Sequence, residues 1–160
     1  MVLLPNSLLK RNAELEFSGE VVDADPSTGF TPGDKVVGFV PPDNHITKRR
    51  GALAQYIAVK PEEILKRPDF LTPNEGAGVI GVGMTAYQAL FEVAKLKQEP
   101  GQSVFINGGS TSVGMYAIQI AKSYGIKVAA STSPRNAKLV EELGAEVHTS
   151  DFHRGSVADC

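Results

Sequence analysis

The stretch Ser103–Gly125, SVFINGGSTSVGMYAIQIAKSYG, decides how the rest of the chain is read. It passes from a short apolar run, Ser103–Ile106, through a loop of small residues into an amphipathic helix pattern. Val113, Ala117, Ile120, Ala121 and Tyr124 recur at steps of four, three, one and three, which marks one apolar helix face. Gly125 stands where a left-handed helix cap belongs. The run before the loop suits a strand buried on both faces, as parallel strands are.

A strand, a glycine-containing loop and a helix in that order can hold a nucleotide phosphate. Backbone N–H groups at a helix N-terminus lack partners and carry partial positive charge, so they suit a pyrophosphate. Gly108 fits the tight turn out of the strand, Gly109 adds freedom beside it, and Gly114 allows the helix to pack closely on the sheet. Thr111 occupies the middle position, where glycine would give the closest approach, and Val113 opens the helix. The hydroxyls of Ser110, Thr111 and Ser112 can donate to phosphate oxygens. A connector that binds nothing is the competing reading; the flanking strand and helix patterns favour the nucleotide site.

The next segments extend the pattern. Residues 127–132, KVAAST, read as a second buried strand. Ser133 and Pro134 supply an N-cap and first-turn proline for a helix to Leu143, closed by Gly144. Residues 145–150, AEVHTS, make a third strand. Strand, helix, strand, helix, strand is the first half of a doubly wound parallel sheet.

The end of the second strand indicates which dinucleotide. An NAD site has Asp or Glu there, for the ribose 2′-hydroxyl. This chain has Ser131, Thr132 and Ser133, followed by Arg135 and Lys138. Cations in a first helical turn oppose the helix dipole by about 0.3–1 kcal/mol, a conflict that a bound anion removes. The pattern points to a 2′-phosphate and hence to NADPH. Two charge-assisted hydrogen bonds of about 1.5–3 kcal/mol each imply at least about a hundredfold preference over NADH. The other reading is solvated charge, with Lys138 paired to Glu142 four residues on.

Upstream the grammar is that of strands and turns. Leu15–Asp25 is β-prone, and Thr31-Pro32-Gly33-Asp34 suits a type II turn. KVVGFV (35–40) and ALAQYIAVK (52–60) read as further strands, separated by PPDN and the basic loop HITKRRG. Short strands with Gly/Pro turns suggest a small barrel or sandwich. From Pro73 the pattern becomes α/β, and residues 74–96 are helix-like.

Bulk properties narrow the function classes. The 160 residues, 42% hydrophobic and 21% charged, are ordinary for a globular protein. A formal charge of −2 gives no reason to expect nucleic acid. No apolar run approaches the roughly 20 residues of a membrane helix, and MVLLPNSLLKRN does not read as a secretory signal, so a cytoplasmic location is expected. The single cysteine, Cys160, excludes an internal disulfide. His45, His148 and His153 lack ligand spacing, so no metal is expected.

The segments EFSGEVV, TPGDKVVGF, GALAQYIAV, GVGMTAYQAL, GQSVFINGGSTSVGMYAIQIAK and STSPRNAKLVEELGA occur in that order. From Leu15 to Ser150 the chain resembles the medium-chain dehydrogenase/reductase superfamily, in its zinc-independent quinone oxidoreductase and enoyl reductase branch. The GGSTS loop resembles fungal members of that branch. The resemblance implies an α/β chain: part of a GroES-like β-barrel (1–74), then the first half of a Rossmann sheet (75–160). It implies that Gly108 to Gly114 hold the pyrophosphate, that Ser131, Ser133, Arg135 and Lys138 surround the 2′-phosphate, and that Thr85 lies near the nicotinamide. Tyr56 and Tyr87 are expected to pack rather than to act as acids. Zinc-dependent relatives have a histidine where this chain has Leu15, and a four-cysteine lobe that it lacks, so Glu16 is read as structural.

Family members are about twice as long, so the chain looks truncated, with an open sheet edge and an uncovered face that could associate, a homo-oligomer being one possibility. The expected activity is hydride transfer from NADPH to a small-molecule quinone or α,β-unsaturated carbonyl, without zinc. No residue is nominated as the proton donor. A non-catalytic nucleotide-binding or interaction module is the alternative, and a zinc alcohol dehydrogenase a remote one.

Overall fold

The computed structural model describes residues 14–41 and 51–149. The first twelve residues, the basic loop 45–50 and the tail with His153 and Cys160 therefore lie outside the described residues. The chain divides after Gly81 into two compact units.

The first unit holds an antiparallel sheet of β1 (Glu16–Glu20), β2 (Lys35–Phe39) and β3 (Ile64–Lys66), in that order. The turn before β2 is the one its sequence demands: Asp34 N–H donates to Thr31 O at 3.0 Å, and Gly33 has φ +93°. Asp34 ties this turn to β3 by accepting from Lys66 Nζ at 3.1 Å. Val36 and Val37 of β2 are buried. Between them and Phe39, Gly38 leaves no room for a Cβ, which would fall 2.7 Å from Glu63 O and 2.8 Å from Ile64 Cγ2.

The strand predicted over 52–60 does not form. That segment is irregular, and β3 pairs instead with β2, Ile64 opposite Gly38 and Lys66 opposite Val36. A strand needs a backbone edge opposite it, and the free edge of β2 goes to the segment that also buries Ile64. Residues 52–60 keep a strand-like composition but join no ladder among the described residues. Glu16 fills a structural role, its carboxylate accepting the Gly81 N–H.

Helix α1 (Pro73–Tyr87) opens on a reciprocal cap. Thr72 Oγ1 accepts the Glu75 N–H at 3.3 Å, while the Glu75 carboxylate accepts the Thr72 N–H at 2.8 Å. The helical pattern predicted to Leu96 holds as α only to Tyr87; Gln88–Val93 widens into a π-turn closed by Lys95 at φ +57°. An edge-on aromatic chain lies along this turn, Tyr87 to Phe91 at 4.9 Å and Phe91 to Tyr124 at 5.2 Å. Tyr87 is thus a packing aromatic, its hydroxyl accepting from Gln98 at 2.6 Å.

The second unit contains a parallel sheet in the order β4 (Ser103–Ile106), β5 (Lys127–Thr132), β6 (Glu146–Thr149). Helix α2 (Ser112–Ser123) joins β4 to β5, and a 3₁₀ turn (Pro134–Asn136) with helix α3 (Ala137–Glu142) joins β5 to β6. Both helices end in the same six-residue stop. Gly125 N–H bonds Lys122 O and Ile126 N–H bonds Ala121 O; Gly144 and Ala145 repeat this on Glu141 and Val140. Gly125 and Gly144 take the required positive φ, +70° and +97°.

The buried face of α2 is Gly114, Ala117, Ile118 and Ala121, rotated by about one residue from the predicted stripe. Ile118, fully buried with Ile126, Ala130 and Val140, is the centre of this core, and Val113, Ile120 and Tyr124 lie at its margin. Truncating such a side chain costs about 2–5 kcal/mol.

Candidate nucleotide site

The loop between β4 and α2 is built from inside the sheet. Gly108 turns out of β4 at φ +82°. Its N–H donates to Ser131 Oγ at 3.0 Å, and the next N–H, of Gly109, donates to Ser131 O at 2.8 Å. Ser131 passes its own proton to Asn107 Oδ1 at 2.6 Å. A Cβ on Gly109 would stand 2.8 Å from Ala130 Cβ and 3.1 Å from Val140 Cγ1. A Cβ on Gly114 would stand 3.0 Å from Gly109 Cα and would strike Gly108 O. These three glycines let the helix start lie directly against the loop.

Thr111 answers for the glycine it replaces. It is the N-cap of α2: its Oγ1 accepts the Gly114 N–H at 3.0 Å and donates to Gly108 O at 2.8 Å. Its own N–H also bonds Gly108 O, at 3.0 Å. The Thr111 hydroxyl proton is therefore spent within the loop, contrary to the expectation that it serves a phosphate. The N–H groups of Ser110, Ser112 and Val113 have no protein partner among the described residues. Neither α2 nor the turn leading into α3 carries a carboxylate in its first turn.

Among the described residues the buried polar side chains are Ser131, 9% exposed, and Thr132, 5% exposed, both at the end of β5. Buried hydroxyls take partners, and both turn toward the glycine loop. Ser131 braces Gly108 and Gly109, so its hydroxyl stands behind the loop rather than open to an adenosine phosphate. Thr132 Oγ1 donates to Ser110 Oγ at 2.9 Å, and Asn136 Nδ2 donates to the same oxygen at 3.1 Å.

Beyond β5, Ser133 caps the 3₁₀ turn by position without a side-chain bond. Arg135 is exposed, with no ion-pair or hydrogen-bond partner among the described residues. Lys138 is exposed and lies 3.8 Å from Glu142 across one turn of α3. The solvated pair expected as the alternative for Lys138 is thus present, while Arg135 is uncommitted. Thr85 lies on the exposed side of α1.

Sequence reasoning did not single out Asn107 or Asn136, and it assigned Thr132 no partner. A polar side chain at the end of a buried strand must be satisfied, so Thr132 carried a signal for a partner. Asn107 and Asn136 carried none, because their contacts join residues 24 and 26 apart. His148 is exposed, its Nε2 3.9 Å from Glu146 Oε1. Among the described residues no three His, Cys, Asp or Glu side chains group as for a metal ion, and no helix is long and apolar enough to cross a membrane. A cavity of about 550 Å³ in the first unit, lined by Phe17, Phe30, Ile57 and Val59 among others, includes none of the residues singled out for the cofactor.

A parallel βαβαβ unit with a glycine turn at the first strand end and open N–H groups at the following helix defines a dinucleotide-binding half-fold. No family model matches the chain. The comparisons with known proteins are specific. A trans-enoyl reductase of Aspergillus clavatus is 38% identical over 150 residues, covering 86% of this chain and 41% of the relative. The mitochondrial NAD(P)H oxidoreductase RTN4IP1 of Mus musculus is 34% identical over 132 residues, covering 81% and 32%. The quinone oxidoreductase of Coxiella burnetii superposes with a TM-score of 0.74 at 29% identity, over 93% of this chain and 45% of that one. A mycobacterial protein solved with NADPH superposes with a TM-score of 0.72 at 26% identity, over 88% and 41%.

The chain shares the fold of the medium-chain dehydrogenase/reductase superfamily, and the relatives it resembles are named as enoyl reductases and quinone oxidoreductases. It spans about two fifths of the length of the trans-enoyl reductase it matches.

Proposed function

We propose that the chain binds NADPH and serves the reduction of a quinone or an α,β-unsaturated carbonyl compound. The observation that carries this reading is the open N–H set of Ser110, Ser112 and Val113 at a helix start without carboxylates, one strand away from the uncommitted Arg135. The donor chemistry fits the cofactor: aligned N–H groups and the helix dipole suit a pyrophosphate, and a guanidinium suits a phosphate monoester. The NADPH complex of a superposable mycobacterial protein and the NAD(P)H oxidoreductase name of the mouse relative support the same cofactor class.

In this reading residues 108–114 hold the pyrophosphate, with Thr111 shaping the loop and Ser131 positioning Gly108 from behind. Ser133, Arg135 and Lys138 receive the 2′-phosphate, and Thr85 lies on the nicotinamide side. When bound, reduced nicotinamide supplies a hydride to the acceptor carbon or quinone ring. The chain's own work is to fix the cofactor by its phosphates; no step is assigned to a metal.

Titration of the chain with NADPH and NADH, followed by an assay of NADPH oxidation with ortho-quinones and enones, tests the proposal. Tight NADPH binding with turnover supports it. Failure to bind either cofactor by folded protein sinks it. Binding without turnover would favour a nucleotide-binding module.

A further inference from the structure

Ser110 receives two hydrogen bonds and gives none to the described protein. Thr132 Oγ1 and Asn136 Nδ2 both donate to its oxygen, at 2.9 and 3.1 Å. A hydroxyl has two acceptor sites and one proton. With both acceptor sites filled, the Ser110 proton is directed away from Thr132 and Asn136, in the same loop as the open N–H groups of Ser112 and Val113.

The behaviour of Asn136 is the second, independent observation. It is the N-cap residue of α3, a place where asparagine ordinarily turns its side chain onto the helix's first N–H groups. Asn136 makes no such bond. Its amide reaches 26 residues back to Ser110. It also closes the 3₁₀ turn that carries Arg135.

We infer that Asn136 is a positioning residue for the cofactor: with Thr132 it sets Ser110 as a proton donor to the pyrophosphate, and it holds Arg135 in register with that loop. The inference rests on the NADPH reading above. It joins the pyrophosphate and 2′-phosphate contacts through one amide, so affinity and cofactor choice change together when that amide is lost.

Dissociation constants for NADPH and NADH, measured by calorimetry on the wild-type chain and on S110A, N136A, N136D, S110A/N136A and S110A/N136D, test it. S110A should weaken both cofactors by about tenfold, the worth of one charge-assisted hydrogen bond, and leave their ratio unchanged. N136A should weaken both and also lower the preference for NADPH. In the S110A background, N136A should cost nothing further for NADH. N136D keeps the shape but accepts where the amide donated, so it recruits the Ser110 proton and should match N136A for NADH. The S110A/N136D chain then reports the added charge alone.

N136A and N136D both within about twofold of wild type would overturn the inference while leaving the cofactor reading intact, as would an N136A effect undiminished by S110A. If the folded wild-type chain binds neither cofactor, both fall together. Melting curves of each variant identify any that fail to fold, and the isosteric N136D keeps the test open if N136A is one of them.

Discussion

The hydroxyl of Ser131, at the end of β5, accepts the N–H of Gly108 at 3.0 Å, where the chain turns out of β4. The strand ladder pairs Ile106 with Ala130 and goes no further along β4. The Gly108 N–H is therefore a backbone donor that regular pairing leaves over. Ser131 satisfies it with a side chain, and its carbonyl takes the next one.

Replacing Ser131 by alanine should leave a partly buried N–H unpaired, at a cost of about 1–3 kcal/mol. We expect a lower urea midpoint and equal weakening of NADPH and NADH binding. An S131A chain with unchanged stability would show that water satisfies Gly108 and that the brace is dispensable.

Thr111 separates capping from glycine-like flexibility. T111A should destabilise by about 1 kcal/mol, and T111G by only a few tenths, because glycine also tolerates the N-cap conformation. Thermal melts of the two variants decide the matter. A T111A chain as stable as wild type would mean that the Thr111 hydroxyl contributes nothing as a cap.

Arg135 and Lys138 should differ in their effect on cofactor choice. Arg135 has no partner among the described residues, whereas Lys138 already lies 3.8 Å from Glu142. R135A is expected to weaken NADPH binding by about tenfold or more and leave NADH unchanged, with K138A smaller. Parallel titrations with the two cofactors measure this, and equal loss of both in R135A would remove Arg135 from the 2′-phosphate site.

Acid should loosen the first unit and the start of α1. The Thr31 N–H, then Lys66, hold Asp34 below its ordinary 3.8, and the Thr72 hydroxyl and N–H hold Glu75 below 4.5. A carboxyl whose folded pKa is lowered stabilises the protein above its unfolded value, and that contribution is lost as pH falls through the folded one. Urea midpoints measured from about pH 7 down to about pH 3 should fall less steeply in D34N and E75Q than in wild type. Parallel slopes would show that these caps do not couple to folding.

The parallel half of the fold was legible because its signals are local. Gly125 and Gly144 mark helix ends by a conformation that few other residues adopt, and the runs at 103–106 and 127–132 form paired strands. Among the described residues, however, β4 lies at the sheet edge with Phe105 59% exposed, and it is not buried on both faces as its run suggested. The type II turn at Thr31–Asp34 was legible for the same reason. Residues 52–60 misled, because composition describes what a strand prefers and says nothing about which edge is free to pair with it. The helix stripe missed Ile118 by one position, since the direction in which α2 faces is set by Gly109 and Val140 across the core.

At the site, sequence alone determined the residue types: glycines at the turn, hydroxyls in the loop, and cations with no acid after β5. Their division of labour was decided only by the tertiary structure. Thr111 caps, Ser131 braces, and Ser110 is left with a proton to give, because hydroxyl roles depend on which donors and acceptors folding brings within about 3 Å. The partners of Thr111 are three residues away, but those of Ser131 and Ser110 lie 22 to 26 residues along the chain, and no local pattern encodes them.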